Sequence, residues 1–321
     1  MKAAILINQL SENALPDELD VLNEAQVFEN ALQNLGFTTK RFFAGLNLEA
    51  VRQEIEMYQP DLAVNMFEGI KGKPELIYLG PGLLQSMNIP YTGCGVDSIF
   101  ITSNKILTKK ILKSNNIPTA EWFEAKEIEK LQNDKTYIIK PLFEDASVGI
   151  SKKSIIKGFQ KEIIEEYRHH YNHHFFAEEF IDGREFNISL LSTPQGVKML
   201  SPAEIKFVDF PEDMPKILDY AAKWNEETFE YKHTLRTFDF EESDKALLNE
   251  IEKIVIKCWQ VFNLHGYARV DFRVDKNNKP FVLEINANPC ISEDSGFYAA
   301  CLNTGIHFQT AVEYILNDLN D

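Results

Sequence analysis

Two alternating runs, 267–274 and 281–286, separated by Asn277-Asn278, constrain this chain more than any other feature. Alternation with period two around residues that tolerate a tight turn predicts a β-hairpin. In the first run Arg269, Asp271 and Arg273 share one face, while Ala268, Val270, Phe272 and Val274 share the other. In the second, Glu284 and Asn286 fall on one face, with Leu283 and Ile285 opposite. Pairing through the turn brings Asp271, Glu284 and Asn286 together with Arg269. Three hard oxygen donors beside a guanidinium suit Mg²⁺ held against phosphate oxygens. The plain alternative is a solvated polar face. The acids sit inside the strands and directly before an Asn-Pro loop, which favours the metal and phosphate reading.

Upstream, residues 1–95 alternate short apolar runs with helical patterns: strand 3–8, helix 20–35 closed by Gly36, strand 38–42, helix 48–58, strand 62–66. That order is a βαβαβ unit of the α/β class, with a parallel sheet covered by helices. Ligands of such domains bind at the strand C-terminal ends, here the loops after Asn8 and Met66. The loop 68–73 carries two glycines but lacks Walker spacing and runs into Pro74, so it reads as a substrate or interdomain loop.

Any phosphate must meet a local basic cluster, because 33 basic against 49 acidic residues leave a net charge of −16. That balance disfavours nucleic acid and anionic membranes as partners. The apolar start at 1–7 is too short for a signal peptide, and no run reaches the roughly 20 apolar residues of a membrane span. Four cysteines without metal or redox spacing fit a reduced, cytoplasmic setting.

One cation, Lys140, stands at a strand end before a loop suited to phosphates. Lys105 lies in the first turn of a helix predicted over 104–115 and capped by Ser103. Lys140 ends a strand over 137–140 and precedes the small-residue loop 141–149, with a helix over 158–170 beyond. The run His169-His-Tyr-Asn-His-His174 has metal-compatible spacing but no ordered carboxylate set around it, and reads as a polar helix end. Residues 175–189 read as two strands joined at Asp182-Gly183, flanked by Glu178, Glu179 and Glu185. Residues 206–236 lose periodicity, as active-site lids do. A helix over 241–262 with a plain core face and a closing helix over 306–319 complete the chain.

The stretches Ile89-Pro-Tyr-Thr-Gly-Cys-Gly95, Lys140-Pro with Ser147-Val-Gly149, Glu178-Glu-Phe-Ile-Asp-Gly-Arg-Glu185, and Ala268-Arg-Val-Asp271 with Leu283-Glu-Ile-Asn-Ala-Asn-Pro289 occur in one order. Together they resemble the ATP-grasp ligases, and within them the D-alanine–D-alanine ligase family, over nearly all of 65–321. The resemblance implies an ATP-grasp fold: an N-terminal Rossmann-like parallel-sheet domain over 1–95, and two α+β subdomains, 96–182 and 183–321, clamping the nucleotide. It implies ATP and two Mg²⁺ ions, with Mn²⁺ as an acceptable substitute. By it, Lys105 and Lys140 contact phosphates and Ser147 to Gly149 close over them. Glu178, Glu179 and the backbone near Ile181 meet adenine, and Glu185 the ribose. Asp271, Glu284 and Asn286 hold the metal ions. Arg269 stabilises the transferred phosphoryl group and then an oxyanion, Lys223 reaches phosphate and substrate, and Ser295 holds the second substrate's carboxylate.

The implied reaction joins a small-molecule carboxylate to an amine through an acyl phosphate. A homodimer follows only by analogy. The pattern departs from the family on the first-substrate side. Glu68 stands in place of a histidine, Ala146 of a serine, Trp224 of a tyrosine and Cys290 of a glycine. Glu12 is the acid offered for the first substrate's amine. A small-molecule kinase on the same fold, or a silent nucleotide-binding regulator, are the competing readings.

Overall fold

The computed structural model describes residues 1–320 and contains three sheets. The first is parallel, in the order β2-β1-β3, from β1 (Lys2–Asn8), β2 (Thr38–Ala44) and β3 (Leu62–Met66), with α1 (Pro16–Asn34) and α2 (Leu48–Tyr58) as crossovers. Residues Ala3 to Ile7 are all fully buried because both faces are covered. Ala3, Ile5 and Ile7 pack on Val21, Ala25 and Phe28 of α1, whereas Ala4 and Leu6 pack on Val51 and Ile55 of α2. A continuous apolar run is what a two-sided parallel strand requires. Helix α1 starts at Pro16, four residues earlier than its apolar periodicity suggests. Proline at the first turn is pre-set for helix, and the Leu15 N–H donates to Glu18 Oε2 at 2.9 Å.

Helices α3 (Leu79–Ser86), α4 (Val96–Ser103) and α5 (Lys105–Ser114) lead out of this layer. The cap of α5 is Asn104, whose side chain accepts from the Leu107 N–H at 3.0 Å. Ser103, read from sequence as the cap, ends α4 instead. The second sheet is antiparallel, β4-β7-β5-β6, from β4 (Trp122–Glu124), β5 (Thr136–Pro141), β6 (Ile155–Lys157) and β7 (Phe175–Glu179), with α6 (Lys161–Tyr171) packed behind it.

The third sheet begins with β8 (Gly183–Thr193), so β7 and β8 do not form the expected hairpin. They belong to different sheets, and residues 180–182 link the two. Gly183 is required by close approach rather than by a turn: a Cβ there would lie 2.0 Å from the Val274 carbonyl oxygen. The remaining elements are β9 (Gly196–Met199), β10 (Ala203–Phe207), α7 (Tyr220–Trp224), α8 (Phe229–His233), β11 (Thr234–Thr237), α9 (Lys245–Val261), β12 (Tyr267–Asp275), β13 (Pro280–Asn286), α10 (Gly296–Asn303) and α11 (Phe308–Leu316). The sheet order is β11-β10-β8-β12-β13, with β9 on β8. The supposed irregular stretch 206–236 thus holds two short helices, capped by Asp219 and Thr228, and a strand.

Helix α9 covers one face of this sheet, packing Leu247, Ile251, Val255 and Cys258 on Val270, Phe272 and Val274. The other face carries the polar hairpin residues. Asp271 pairs with Glu284 and Arg269 with Asn286, as the alternation requires. The register then shifts between Asp271 and Phe272, where Phe272 faces Val282. This β-bulge corrects one expectation, because Leu283 turns to the cleft beside Glu284 instead of into the core. Among the described residues no helix is long and apolar enough to cross a membrane.

Candidate active site

The cleft lies between the second and third sheets, and its floor is the β12–β13 hairpin. Arg269 grips Asp271 with two parallel bonds, Nε to Oδ1 at 2.8 Å and Nη2 to Oδ2 at 2.9 Å. Lys105, at the start of α5, reaches Glu284 Oε2 at 3.3 Å and donates to the Glu144 carbonyl at 2.7 Å and Asp145 Oδ1 at 3.0 Å. Burial alone would discharge this lysine, but Asp145 and Glu284 hold its proton more tightly than usual. Burial likewise opposes ionisation of Glu284, yet Lys105, Lys223, Lys140 and Arg269 hold its carboxyl down at about 2. Burial pushes the Lys223 ammonium down, and repulsion from Arg269 adds to it. Three lysines, Lys105, Lys140 and Lys223, thus line the cleft with this carboxylate in a chain of net charge −16. Asn286 Oδ1 accepts from the Asn288 N–H at 2.9 Å, which fixes the amide and leaves its second lone pair free.

Across the cleft, Glu178 is fully buried between Lys109 Nζ at 2.7 Å and Lys140 Nζ at 2.7 Å. Burial opposes its charge, but the two ammonium groups hold its proton affinity below the usual carboxylate range. Lys109 was not singled out from sequence. It sits four residues after Lys105 on the same helix face, which is the signal that would have found it. Glu179 lines the cleft while its carboxylate pairs with Lys135 at 2.9 Å. Ile181 lines it from the 180–182 linker. Glu185, 8% exposed, accepts from Arg273 Nη1 at 3.0 Å.

The loop 143–150 covers the cleft and is latched to the 216–224 stretch. Ser147 Oγ donates to the Leu218 carbonyl at 2.7 Å, Trp224 Nε1 to the Ala146 carbonyl at 3.2 Å, and the Tyr220 N–H to the Ile150 carbonyl at 3.4 Å. Tyr220 also reaches α1, donating to Asp17 Oδ1 at 2.8 Å. Ala146 and Ser147 adopt left-handed φ of 52° and 63°, the strained geometry of a tightly folded loop.

Apart from the residues that line this cleft, α1 supplies Asp20 and Glu24 toward the 290–292 turn. The Cys290 thiol donates to Asp20 Oδ2 at 3.1 Å, Ser292 Oγ donates to the same oxygen at 3.3 Å, and the Ile291 N–H donates to Glu24 Oε2 at 3.2 Å. Burial, then Asp20, pushes Glu24 up to about 8. Burial, then Glu24 and Asp20, raises Glu68 well above the usual carboxylate range. Glu12 is exposed in the loop before α1 and does not join this group. The acids that do meet the 290–292 turn are Asp20 and Glu24, four apart on one face of the early-starting helix α1. Ser295 caps α10, accepting from the Tyr298 N–H at 3.1 Å, while Arg236 of β11 donates to the Ser295 carbonyl at 3.2 Å. The histidine run gathers no metal set; among the described residues the one His/Cys/Asp/Glu group with donor atoms within 4.8 Å is Asp20, Glu24 and Cys290.

The raised Glu24 has a measurable consequence. Between its ordinary value of 4.5 and about 8 the folded chain keeps a proton that the unfolded chain releases, so stability falls as pH rises through that window. Glu24→Gln is expected to make the fall shallower by up to about 1.4 kcal/mol per pH unit. Urea unfolding at a series of pH values checks this.

A model of the family described as D-ala D-ala ligase C-terminus matches residues 109–317. D-alanine–D-alanine ligase of Carboxydothermus hydrogenoformans is 32% identical over 251 residues, covering 73% of this chain and 74% of that protein. The enzyme of the same name from Rickettsia felis is 30% identical over 292 residues, covering 89% and 83%. Among solved structures, D-alanine–D-alanine ligase from Bacillus anthracis complexed with ATP superposes with a TM-score of 0.75 at 20% identity, covering 99% of this chain and 96% of that one. This last likeness is one of fold.

Proposed function

The chain belongs to the D-alanine–D-alanine ligase family of ATP-grasp, ADP-forming carboxylate–amine ligases, and from that premise we propose that it joins an acid other than D-alanine to an amino-acid-like amine. The observation that carries the ligase reading is that Lys105, Lys140 and Lys223 line one cleft with Glu284 and Asp271, Lys105 touching Glu284 at 3.3 Å and Arg269 gripping Asp271. Such a cluster is suited to receive a polyphosphate. The donor set of two opposed carboxylates and a fixed amide oxygen, Asp271, Glu284 and Asn286, fits Mg²⁺. Bound there, Mg²⁺ supplies charge neutralisation of the phosphate oxygens.

The rest of the chemistry follows from the chain's own groups. A carboxylate is a poor acyl donor because oxide is a poor leaving group. The donor's oxygen attacks the γ-phosphorus of ATP, the bond to the β–γ bridging oxygen breaks, and ADP departs. Lys105 and Lys140 balance the charge of the phosphates, while Arg269 and Lys223 face the group in transfer. The amine nitrogen then attacks the acyl carbon, phosphate leaves, and the nitrogen gives up a proton. The latched loop 143–150 keeps water from the acyl phosphate, with Ser147 holding the lid carbonyl of Leu218. In this reading Glu178, Glu179, Ile181 and Glu185 receive adenosine, and Ser295 receives the amine substrate's carboxylate.

The altered donor is supported by where the sequence departures lie. Cys290 lies against Asp20, burial and the nearby Asp20 and Glu24 charges keep Glu68 protonated above the usual range, and Ala146 is bonded to Trp224. Glu68 and Cys290 thus group with Asp20 and Glu24 of α1 rather than with Lys140 and Glu178, while Ala146 and Trp224 belong to the latch over the cleft; in this reading the donor sits between them. The test is release of ADP and phosphate across a panel of acid and amine pairs. Turnover is expected only with both present, and with D-alanine as donor a poor substrate. AMP and pyrophosphate would reject the acyl phosphate route, and D-alanine as the best donor would reject the altered specificity.

A further inference from the structure

Arg273 is only 3% exposed, yet its guanidinium joins three separate segments of the chain. Nη1 donates to Glu185 Oε2 at 3.0 Å, Nε to the Ile181 carbonyl at 3.0 Å, and Nη2 to the Lys216 carbonyl at 2.8 Å, while the Phe180 ring lies 5.2 Å beneath it. We propose that Arg273 is a positioning residue that couples closure of the 208–219 segment to nucleotide recognition, a role that rests on the ATP reading above.

Glu185 lies directly across the β8–β12 ladder from Arg273. A residue needed only to neutralise that acid inside the sheet would stop there. The other two acceptors lie outside the sheet. Ile181 belongs to the linker between the two sheets that line the cleft, and holding its carbonyl fixes the plane of the peptide that follows. Lys216 lies two residues before Leu218, whose carbonyl takes the Ser147 hydroxyl, and it leads into α7 with Lys223. One guanidinium therefore holds the acid facing the ribose position, the linker and the root of the lid. Its fork supplies three donors in fixed directions, whereas a lysine ammonium at the end of a flexible stem cannot span the same acceptors. Opening the 208–219 segment breaks the Lys216 bond and loosens the group that orients Glu185. Ordering Glu185 on a ribose favours the closed segment in return.

The test compares the full-length wild type with Arg273→Lys and Arg273→Met. The readouts are ATP-dependent kinetics at saturating acid and amine, and hydrogen exchange of residues 208–219 with and without ATP. In both variants KM for ATP is expected to rise about tenfold or more while kcat changes by less than about threefold. Exchange across 208–219 should quicken even without ATP, and Arg273→Lys, which keeps the Glu185 pair, should melt near the wild type. The methionine variant is the one at risk of failing to fold, and the lysine variant then decides. Wild-type KM and wild-type exchange in Arg273→Lys would overturn the proposal and leave Arg273 an internal ion pair. A wild type showing no saturation by ATP and no ATP-dependent protection would overturn the nucleotide reading itself, and the coupling with it, before any variant is examined.

Discussion

Asp271→Asn is expected to lower ADP release by about a thousandfold or more, which corresponds to roughly 4 kcal/mol of lost transition-state stabilisation. The substitution changes the shape of the side chain by almost nothing. It removes the anionic oxygen that stands in register with Glu284, so the hard donor set for Mg²⁺ falls from two carboxylates to one. It also turns an amide N–H toward Arg269, which in the wild type donates to both Asp271 oxygens at 2.8 and 2.9 Å. A donor facing a donor displaces the guanidinium from where the transferred phosphoryl group would be met. The loss should be concentrated in kcat, with partial recovery as Mg²⁺ is raised and thermal melting close to wild type. Full activity in Asp271→Asn at ordinary Mg²⁺ would remove Asp271 from the metal site.

The polar face of that hairpin was legible because alternation reports directly which side chains point together, and the paired register of Asp271 with Glu284 agrees with it. The same rule failed at Leu283, since a bulge adds one residue to one strand and period two says nothing about where. The first sheet was legible from its unbroken apolar strand and its helical crossovers. The separation of β7 from β8 was not, because a short gap with Asp-Gly looks like a turn. Only a close approach, Gly183 against the Val274 carbonyl, shows why glycine stands there. The proposed site residues divide in the same manner. Lys105, Lys140, Arg269 and Glu284 lie in local patterns that mark them. Glu24 and Arg273 matter through contacts with residues far along the chain, Ile291 for one and Ile181 and Lys216 for the other, and no local pattern carries that information.

Arg269→Met is expected to lower kcat by about a thousandfold, in line with removing a preorganised donor aimed at developing negative charge. Arg269→Lys should recover only a part, about tenfold, because a point charge restores the attraction but not the paired bonds that hold Asp271 in place. A second effect has a definite sign. Burial is the larger cause of the lowered Lys223 proton affinity, but Arg269 repulsion adds to it, while Glu284, Asp271 and Glu185 act in the opposite direction. Deleting the guanidinium leaves those three acids opposed only by burial, so the Lys223 ammonium keeps its proton to higher pH. If protonated Lys223 faces the phosphate in transfer, the alkaline limb of the residual kcat profile moves upward in Arg269→Met relative to wild type. In Arg269→Lys a positive charge remains and the limb should stay near its original position. A limb that moves downward, or one that moves equally in both variants, would show that the group titrating there is not a lysine repelled by Arg269. A thousandfold loss without any movement of the limb would separate the two roles, leaving Arg269 as the phosphoryl contact and removing Lys223 from the step.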